Sequence, residues 1–328
     1  MLTKTENGRT PLLVLVGPTA VGKTKLSLAV AEEYGAEIIS GDSMQVYRKM
    51  DIGTAKATPE ERAQVPHHMI DIQDPDEPFS VAEFQDRCTV LIEDIASRGK
   101  LPFIVGGTGL YVESVCYRYQ FSESGSDEAF REEQRLYAEA AGAEALHDRL
   151  RQIDPESADR LHPNDQRRII RALEIFHVTG EKLSDRLKVQ KKESPYELCI
   201  VGLTMDRALL YKRIEERIDQ MMDEGLVEEV RALLADGYTK DMVSMQGLGY
   251  KEIAGYLEGA YSLEEAVEML KKSTRHFAKR QLSWFRHMTD IEWIDVSEMA
   301  NISTQLEKIR AIIAGKLTLV RNNTEGAH

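Results

Sequence analysis

The sequence predicts an α/β fold in which helices flank a mainly parallel sheet and an all-helical insertion interrupts the core. Short apolar runs alternate with helix-patterned segments along most of the chain, which is the pattern of an open parallel sheet. Between residues 120 and 194 no such run occurs, and a charged stretch with helical periodicity stands in its place. A chain of 328 residues has room for a large domain carrying an insertion, or for two domains.

Five apolar runs are predicted to form the strands of the sheet. They cover residues 12–16, 37–40, 102–105, 198–203 and 291–296. Three of them end in glycine, aspartate or threonine, at Gly17, at Gly41 and Asp42, and at residues 106–109. Parallel strands place their carboxyl ends at one edge of the sheet, and open sheets bind ligands at that edge. We therefore expect a binding site there.

Helical spacing fills much of the chain between and after these strands. The clearest stretches are residues 25–33, 165–178, 206–223, 226–236 and 263–288. Gly180, Gly225 and Gly237 follow three of them and are typical helix terminators. The expected organisation is a core over residues 1–119 and 195–315, an insertion over 120–194, and a flexible tail over 316–328.

Composition narrows the class of protein. No run of eighteen apolar residues occurs, and residues 1–10 lack the pattern of a signal peptide, so we expect a cytoplasmic protein. Cys88, Cys116 and Cys199 lack CxxC spacing, which favours reduced core thiols over a disulfide framework or a zinc site.

The charge distribution suggests an anionic partner despite a formal net charge of −13. Residues 166–192 contain eight Lys and Arg against three Asp and Glu, and residues 270–289 contain six against none. Basic surface concentrated in two places is typical of nucleic-acid binding, although a basic run alone is more often a solvated helix face.

A glycine-rich loop follows the first strand and leads into the first helix. It matches the GxxxxGK[ST] pattern in the strand–loop–helix context that a phosphate-binding loop requires. Backbone N–H groups of such a loop wrap a diphosphate, Lys23 adds a positive charge, and the Thr24 hydroxyl can ligate Mg²⁺. We therefore predict a P-loop NTPase-like core with Mg²⁺ as cofactor. The expected diphosphate-binding residues are Gly17, Pro18, Thr19, Ala20, Val21, Gly22, Lys23 and Thr24.

The sequence lacks the motifs with which GTPases, ATPases and kinases bind or transfer a γ-phosphate. The chain contains neither the DxxG nor the NKxD string of a GTPase. The apolar run 102–105 is followed by Gly106, Gly107, Thr108 and Gly109, where an ATPase or kinase would carry an acidic magnesium ligand. The loop is thus expected to hold a diphosphate without transferring a phosphoryl group.

Several strings in this sequence together resemble those of the tRNA dimethylallyltransferases. They are GPTAVGKT at 17, GDSMQVYRKMDIGTAK at 41, PHHMID at 66, VGGTGLY at 105, HPNDQRRIIRALE at 162, GLGYKE at 247 and RHFAKRQLSWFR at 275. They occur in the family's order and span most of the chain. Gly41, Ala57 and Ser283 depart from the common pattern without removing an obvious chemical group.

The resemblance implies transfer of a dimethylallyl group from dimethylallyl diphosphate to N6 of the adenosine beside the anticodon, at position 37 of tRNA. Asp42, Thr19 and Arg217 match the family's catalytic residues, with Asp42 as the base that removes the amine proton. From the residues alone, Asp42 is equally well a turn cap for residues 43–46, and Arg217 is more typical of a surface salt bridge.

The resemblance also implies a binding surface for the anticodon stem-loop, with the insertion helping to hold the stem and the target base flipped into the site. The matching residues are Asp42, Ser43, Met44, Gln45, Thr108, Gln166, Arg167, Arg168, Ile169, Ile170, Gln246, Gly247, Gly249, Tyr250, Lys251, Thr274, Arg275, Lys279, Arg280 and Gln281. In the predicted helix 263–288, Leu270, Phe277 and Trp284 lie on a different face from Arg275 and Lys279 and are expected to face the core. His67 and His68 lack a third ligand nearby, so a metal is not expected there.

Three other functions compete with this interpretation. An adenylate isopentenyltransferase that acts on free AMP, ADP or ATP has little use for the two basic segments. An ATP-dependent small-molecule kinase requires the missing acidic ligand, and a pure RNA-binding module does not require the phosphate loop. No Cys/His zinc finger like that of eukaryotic members follows Arg286, so the sequence resembles the bacterial form of the family. No obligate protein partner is predicted.

Overall fold

The computed structural model describes residues 8–121, 127–190, 193–298 and 301–318. The chain divides into two compact units. One comprises Met1–Arg118 together with Ser194–His328, and the other is Tyr119–Glu193. The second unit begins and ends one residue before the insertion expected from the sequence.

The first unit contains a six-stranded sheet in which all neighbouring strands run parallel, as the sequence predicts. The strand order is β3-β2-β4-β1-β5-β6. The strands are β1 (Thr10–Val16), β2 (Ala36–Ser40), β3 (His67–His68), β4 (Leu101–Gly106), β5 (Tyr196–Thr204) and β6 (Ile291–Asp295). The first strand lies at the centre, so its carboxyl end, where the glycine-rich loop starts, is enclosed by the ends of its neighbours.

Both faces of the central strand are covered, which explains its uninterrupted apolar sequence. Leu12, Leu13, Val14, Leu15 and Val16 are each at most 1% exposed. A strand of an antiparallel sheet with one solvated face would alternate polar and apolar residues instead. The two-residue strand β3 was not predicted, because a pair of histidines leaves no detectable periodicity.

Helices surround this sheet within the first unit. They are α1 (Lys23–Tyr34), α2 (Pro59–Gln64), α3 (Val81–Ser97), α4 (Gly109–Tyr117), α10 (Arg207–Asp223), α11 (Leu226–Ala235), α12 (Tyr250–Leu257), α13 (Leu263–Phe285) and α14 (Ile302–Lys316), with a 3₁₀ turn at Ser244–Gln246. Gly225 and Gly237 lie beyond the ends of α10 and α11 with positive φ, which confirms their predicted role. The helix α14 was not predicted. It lies at the end of the expected core and reaches only the first residue of the expected tail, Lys316. Residues 319–328 lie outside the described residues.

The second unit consists of five helices in its described part. They are α5 (Glu128–Ala141), α6 (Ala143–Ile153), α7 (Pro155–Arg160), α8 (Gln166–Thr179) and α9 (Leu183–Val189). Leu146, Leu150 and Ile169 are fully buried among them. Glu174 is also fully buried, and its carboxylate pairs with Arg131 and Arg171. Hydrogen bonds from both guanidinium groups keep the pKa of this buried carboxyl below its usual range against the opposing effect of burial.

The three cysteines are buried and unpaired, as the sequence predicts. Burial raises the pKa of Cys88 and Cys116 well above the ordinary thiol range, so neither is activated as a nucleophile. In the described part of the chain, no helix is both long and apolar enough to cross a membrane.

Candidate active site

The glycine-rich loop wraps the space between the end of β1 and the start of α1. Gly17 sits against the Leu203 carbonyl oxygen, and a methyl group on Gly17 would lie 2.8 Å from that oxygen. Gly22 caps α1 in a left-handed conformation, with φ of 106°. These two positions therefore require glycine, and the helix that follows points its N-terminal dipole into the loop.

Lys23 folds back over this loop. Its Nζ donates to the carbonyl oxygens of Gly17 at 2.9 Å and Pro18 at 2.8 Å. Burial and the positive charge of Arg217 lower the pKa of Lys23 to about 7, while the Asp42 carboxylate opposes the shift. The amine is thus poised to gain charge when an anion enters the loop.

Asp42 lies just beyond the end of β2, at the same edge of the sheet. Its Oδ1 accepts a hydrogen bond from the Met44 amide at 2.9 Å, so it does cap the following turn. Burial raises the pKa of this carboxyl above its usual range, and the bond from Met44 and the charge of Lys23 offset part of that shift. A carboxylate whose pKa is raised is a better proton acceptor than one on the surface.

The turn after β4 is built from glycines that leave room for other elements. Gly106 packs directly on the Gly41 backbone, and a side chain on Gly109 would overlap the Trp284 ring. Between them, Thr108 Oγ1 accepts a hydrogen bond from the Ser43 amide at 3.0 Å. These contacts join the β2 and β4 ends and explain the glycines at 106 and 109.

A cavity of about 310 Å³ opens at this edge of the sheet. Thr19 and Ala20 form one wall, and Asp42, Ser43 and Met44 form another. Its volume falls at the lower end of the range for small-molecule sites. The phosphate loop and the candidate base therefore face one shared space, as the sequence predicts.

Arg217 reaches this cavity from α10. Within the described part of the chain, its guanidinium makes no hydrogen bond or ion pair with another side chain. Burial lowers the pKa of Arg217, and the negative charges of Asp42 and Glu224 partly oppose this. A half-buried cation without a bonded partner is costly unless a ligand anion completes it, so the surface salt bridge considered from the sequence is not what Arg217 forms.

Comparison with known proteins identifies the family. A model described as IPP transferase matches residues 45–288, and one described as isopentenyl transferase matches residues 10–75. This chain belongs to the IPP transferase family. Proteins named tRNA dimethylallyltransferase from Bacillus licheniformis and Geobacillus thermodenitrificans are 54% and 52% identical to it. The alignments cover 94% and 95% of this chain, and 98% of each relative.

Solved structures of IPP transferases share the fold. The tRNA isopentenylpyrophosphate transferase of Bacillus halodurans is 49% identical, with a TM-score of 0.71 over 94% of this chain and 97% of its own. A eukaryotic dimethylallyltransferase, described as acting on tRNA, is 30% identical with a TM-score of 0.80. That alignment covers 95% of this chain and 81% of the eukaryotic one.

Many of the residues matched to the family's RNA contacts line the same cavity in this IPP transferase. Besides those already described, they are Gln246, Gly247, Gly249, Tyr250, Lys251, Thr274 and Arg280. Tyr250 is completely buried, and its hydroxyl donates to Glu229 at 2.6 Å. The Glu229 carboxylate also accepts hydrogen bonds from the backbone of Asp51, Ile52 and Gly53, so it fixes the loop beside the cavity.

Three other matched residues, Gln45, Arg275 and Gln281, make contacts within the protein. The Gln45 side chain accepts from Ser40 Oγ and donates to backbone carbonyls of the neighbouring loop. Arg275 pairs with Glu215 at 2.6 Å. Lys279 is exposed on the same helix, and Gln281 is buried.

The α8 residues belong to the helical unit, and only some of them offer surface. Gln166, Arg167 and Arg168 are exposed. Ile169 and Ile170 are instead buried in the core of that unit, so their side chains are not available to a partner. Arg171 of the same helix forms an ion pair with the buried Glu174 at 2.6 Å.

An apolar wall of the cavity was not anticipated from the sequence. Ile214, Ile218 and Met221 of α10 line it beside Arg217. Leu270 and Phe277 of α13, expected to face the core, line it as well. The available signal was an arginine at helical spacing within an apolar face, which is unusual for a solvated salt bridge.

The residues present fit a Mg²⁺ ion that is held by one protein side chain together with the phosphates of a bound substrate. Thr24 is exposed beside the loop, and its hydroxyl makes no hydrogen bond with the described residues. Those residues also contain no cluster of three or more His, Cys, Asp or Glu that could hold a metal. Mg²⁺ commonly takes one protein ligand together with water and substrate phosphates, and Thr24 suits that role. His68 is paired with Glu37, and His67 Nδ1 lies 2.7 Å from the Val65 carbonyl oxygen.

Proposed function

We propose that this protein transfers the dimethylallyl group of dimethylallyl diphosphate to N6 of the adenosine 3′ to the anticodon, position 37, in tRNA. The observation that carries the proposal is the shared cavity. A phosphate loop, an arginine with no bonded partner among the described residues and a carboxylate with a raised pKa meet there beside an apolar wall. Prenyl transfer to an amine can use each of these groups, whereas phosphoryl transfer would also need the acidic magnesium ligand that the turn after β4 lacks.

The amine nitrogen attacks C1 of the dimethylallyl group as the bond from C1 to the diphosphate oxygen breaks. The N6 proton passes to the Asp42 carboxylate, and diphosphate leaves with the electron pair of the broken bond. Exocyclic amines of purines are weak nucleophiles, because their lone pair is delocalised into the ring. Removal of the proton as the new bond forms is therefore where a positioned base contributes most.

Negative charge grows on the diphosphate as it leaves, and fixed donors stabilise it. Lys23 and Arg217 supply positive charge close enough to each other for Arg217 to lower the pKa of Lys23, and Thr19 lines the same cavity as Arg217 and Asp42. Mg²⁺ held by Thr24 would add further neutralisation when bound. The apolar wall from α10 and α13 suits the dimethylallyl chain or the face of the adenine ring.

We expect binding of dimethylallyl diphosphate to take up a proton at pH 8. In the protein without ligand, Lys23 has a pKa of about 7, so at pH 8 its side chain is neutral in most molecules. A bound diphosphate stabilises the ammonium form and raises the pKa of Lys23. Affinity should thus fall by up to about tenfold per pH unit above pH 7 and be insensitive to Lys23 below it. Calorimetry in two buffers of different ionisation enthalpy, with Mg²⁺ present, measures the uptake.

Lys23→Arg is the matched control for this effect, because a guanidinium stays charged throughout the range. Titration of the diphosphate itself and of Asp42 is common to both proteins, so the difference between them isolates Lys23. Equal proton uptake in the two proteins at pH 8 would contradict a Lys23 that is largely neutral before binding.

The helical unit is proposed to bind the anticodon stem through exposed arginines at the start of α8. We expect Arg167→Gln combined with Arg168→Gln to weaken tRNA binding and to flatten its dependence on salt. Each lost phosphate contact lowers the slope of log affinity against log salt by about one. Filter binding across a salt series measures this slope.

A double variant of equal charge, Arg151→Gln with Arg160→Gln, controls for the loss of net charge within the same unit. Arg171 is unsuitable for this test, because its removal would leave the buried Glu174 short of a partner. Identical slopes in the test and control variants would remove α8 from the RNA-binding surface.

The experiment that tests the proposed function uses labelled dimethylallyl diphosphate, Mg²⁺ and tRNA lacking the modification, with AMP and ATP in parallel reactions. Label in adenosine 37 of tRNA and not in AMP supports the proposal. Label in AMP alone would make the protein an adenylate isopentenyltransferase, and consumption of ATP without labelling would make it a kinase. We further propose that the protein acts in the cytoplasm without an obligate protein partner.

A further inference from the structure

One buried glutamine connects three parts of the site that are far apart in the sequence. Gln281 lies near the end of α13 and is 5% exposed. Its Oε1 accepts a hydrogen bond from the Thr19 amide at 2.9 Å, and its Nε2 donates to the Gly107 carbonyl oxygen at 3.0 Å. Both ends of the side-chain amide are thus used, and reversing the amide would place donor against donor and acceptor against acceptor.

The bond to Thr19 determines how part of the phosphate loop is presented. Amides of a phosphate loop usually point at the anion, but this one is held by Gln281 instead. The next residue, Ala20, adopts a left-handed conformation with φ of 64°, which costs free energy in a residue other than glycine. Thr19 and Ala20 both line the cavity, so the contact with Gln281 helps to keep this strained segment of the wall in place.

The second glycine of the β4 turn supplies the space that Gln281 occupies. A methyl group on Gly107 would overlap the Gln281 amide nitrogen, and its other neighbours lie at ordinary contact distances. Gly107 has no positive φ that would itself require glycine. Its lack of a side chain is therefore explained by this one contact.

The helix that carries Gln281 also forms part of the wall of the cavity. Phe277 and Arg280 lie within one turn of Gln281 on α13, and both line the cavity. A helix that bonds to the phosphate loop at one residue and forms part of the cavity wall at others fixes the position of the loop relative to that wall. Alignment of reacting groups to within about an ångström governs the rate of such a displacement.

We propose that Gln281 is a positioning residue that fixes the phosphate loop, through the Thr19 amide, relative to the wall formed by α13. The proposal rests on the proposed function, because it concerns the alignment of the diphosphate with the second substrate. It assigns Gln281 a role in the protein interior that differs from the RNA contact implied by the family resemblance.

The test compares Gln281→Leu, which removes both hydrogen bonds at similar volume, with Gln281→Glu, which keeps an acceptor for Thr19 but loses the donor to Gly107. We expect Gln281→Leu to lower the single-turnover rate by about 10- to 100-fold, with an affinity for tRNA within twofold of that of the wild-type protein. The single-turnover rate of Gln281→Glu should lie between that of Gln281→Leu and that of the wild-type protein. Trp284→Phe is the control, because it removes a bond from the same helix to Glu113 away from the loop.

A double-mutant cycle with Gly107→Ala tests the same contact from the other side. The added methyl group should displace the Gln281 amide and reproduce most of the rate loss. Because Gln281→Ala opens the space that the methyl group needs, the double variant should be no slower than the slower single variant. Losses that multiply would show that the two residues act independently and would overturn the proposal.

The outcomes separate this inference from the proposed function. If the unmodified protein does not prenylate tRNA, the proposed function fails first. If that protein is active and Gln281→Leu turns over at the same rate, the positioning role is wrong. It is also wrong if the Gln281 variants only lower the melting temperature, as expected for Trp284→Phe, or only weaken tRNA binding. Should Gln281→Leu not fold, the Gln281→Glu and Gly107→Ala variants give the same comparison.

Discussion

Asp42→Asn should lower turnover by about 10²- to 10⁴-fold while tRNA affinity stays within a few-fold. The amide oxygen of asparagine can still accept the hydrogen bond from Met44, so the turn after β2 is preserved. What the substitution removes is the carboxylate that receives the N6 proton. Single-turnover kinetics with labelled dimethylallyl diphosphate, together with filter binding of tRNA, measures the two quantities separately.

Asp42→Ala serves as a second variant, because it removes both the base and the cap. If Asp42 acts chiefly as a base, the asparagine and alanine variants should be almost equally slow. A fast asparagine variant beside a slow alanine variant would mean that the cap, and not proton transfer, is what matters. Turnover of both variants near that of the unmodified protein would remove Asp42 from the reaction.

Arg217→Gln should lower kcat/KM for dimethylallyl diphosphate by about 10²- to 10³-fold, as is typical when one fixed donor to a developing anion is lost. The guanidinium has no bonded partner among the described residues, so the substitution leaves no protein group unpaired. Folding should therefore be preserved or improved. Steady-state kinetics and a thermal melt test these two expectations together.

Lys212→Gln on the same helix is the matched control, because Lys212 is exposed and, among the described residues, its ion pair is with the surface residue Glu216. A second readout follows from the charge of Arg217, which lowers the pKa of Lys23. In Arg217→Gln, the proton uptake on diphosphate binding at pH 8 should become smaller. An unchanged uptake would mean that Arg217 lies too far from the loop to act on the diphosphate.

The parts of the fold that could be predicted are those governed by local patterns. The phosphate loop follows from glycine spacing between a strand and a helix. The buried parallel strands follow from uninterrupted apolar runs, although their order does not, and Gly180, Gly225 and Gly237 end helices because of their backbone freedom. These signals lie within a few residues of the feature they specify, so one sequence suffices to detect them.

The parts that could not be predicted depend on contacts between distant segments. The sequence shows Gln281 as one polar residue in a basic helix, and only the fold brings it to Thr19 and Gly107. The sequence likewise gives no sign that Glu229 binds the backbone of the loop at residues 51–53. The assignment of Asp42 as base and Arg217 as a diphosphate ligand depended on the family resemblance, and both assignments remain predictions.

The strand order also constrains how the chain can fold as it is synthesised. The central strand β1 pairs with β4 on one side and with β5 on the other, but the whole helical unit separates β4 from β5 in the sequence. About 180 residues separate β1 from β5, so at roughly 5–20 residues per second β1 waits roughly 9–36 seconds during synthesis for its second neighbour. The helical unit has mostly local contacts and can fold during that interval. The open apolar edge of β1 is thus the part of the nascent chain most exposed to misassembly.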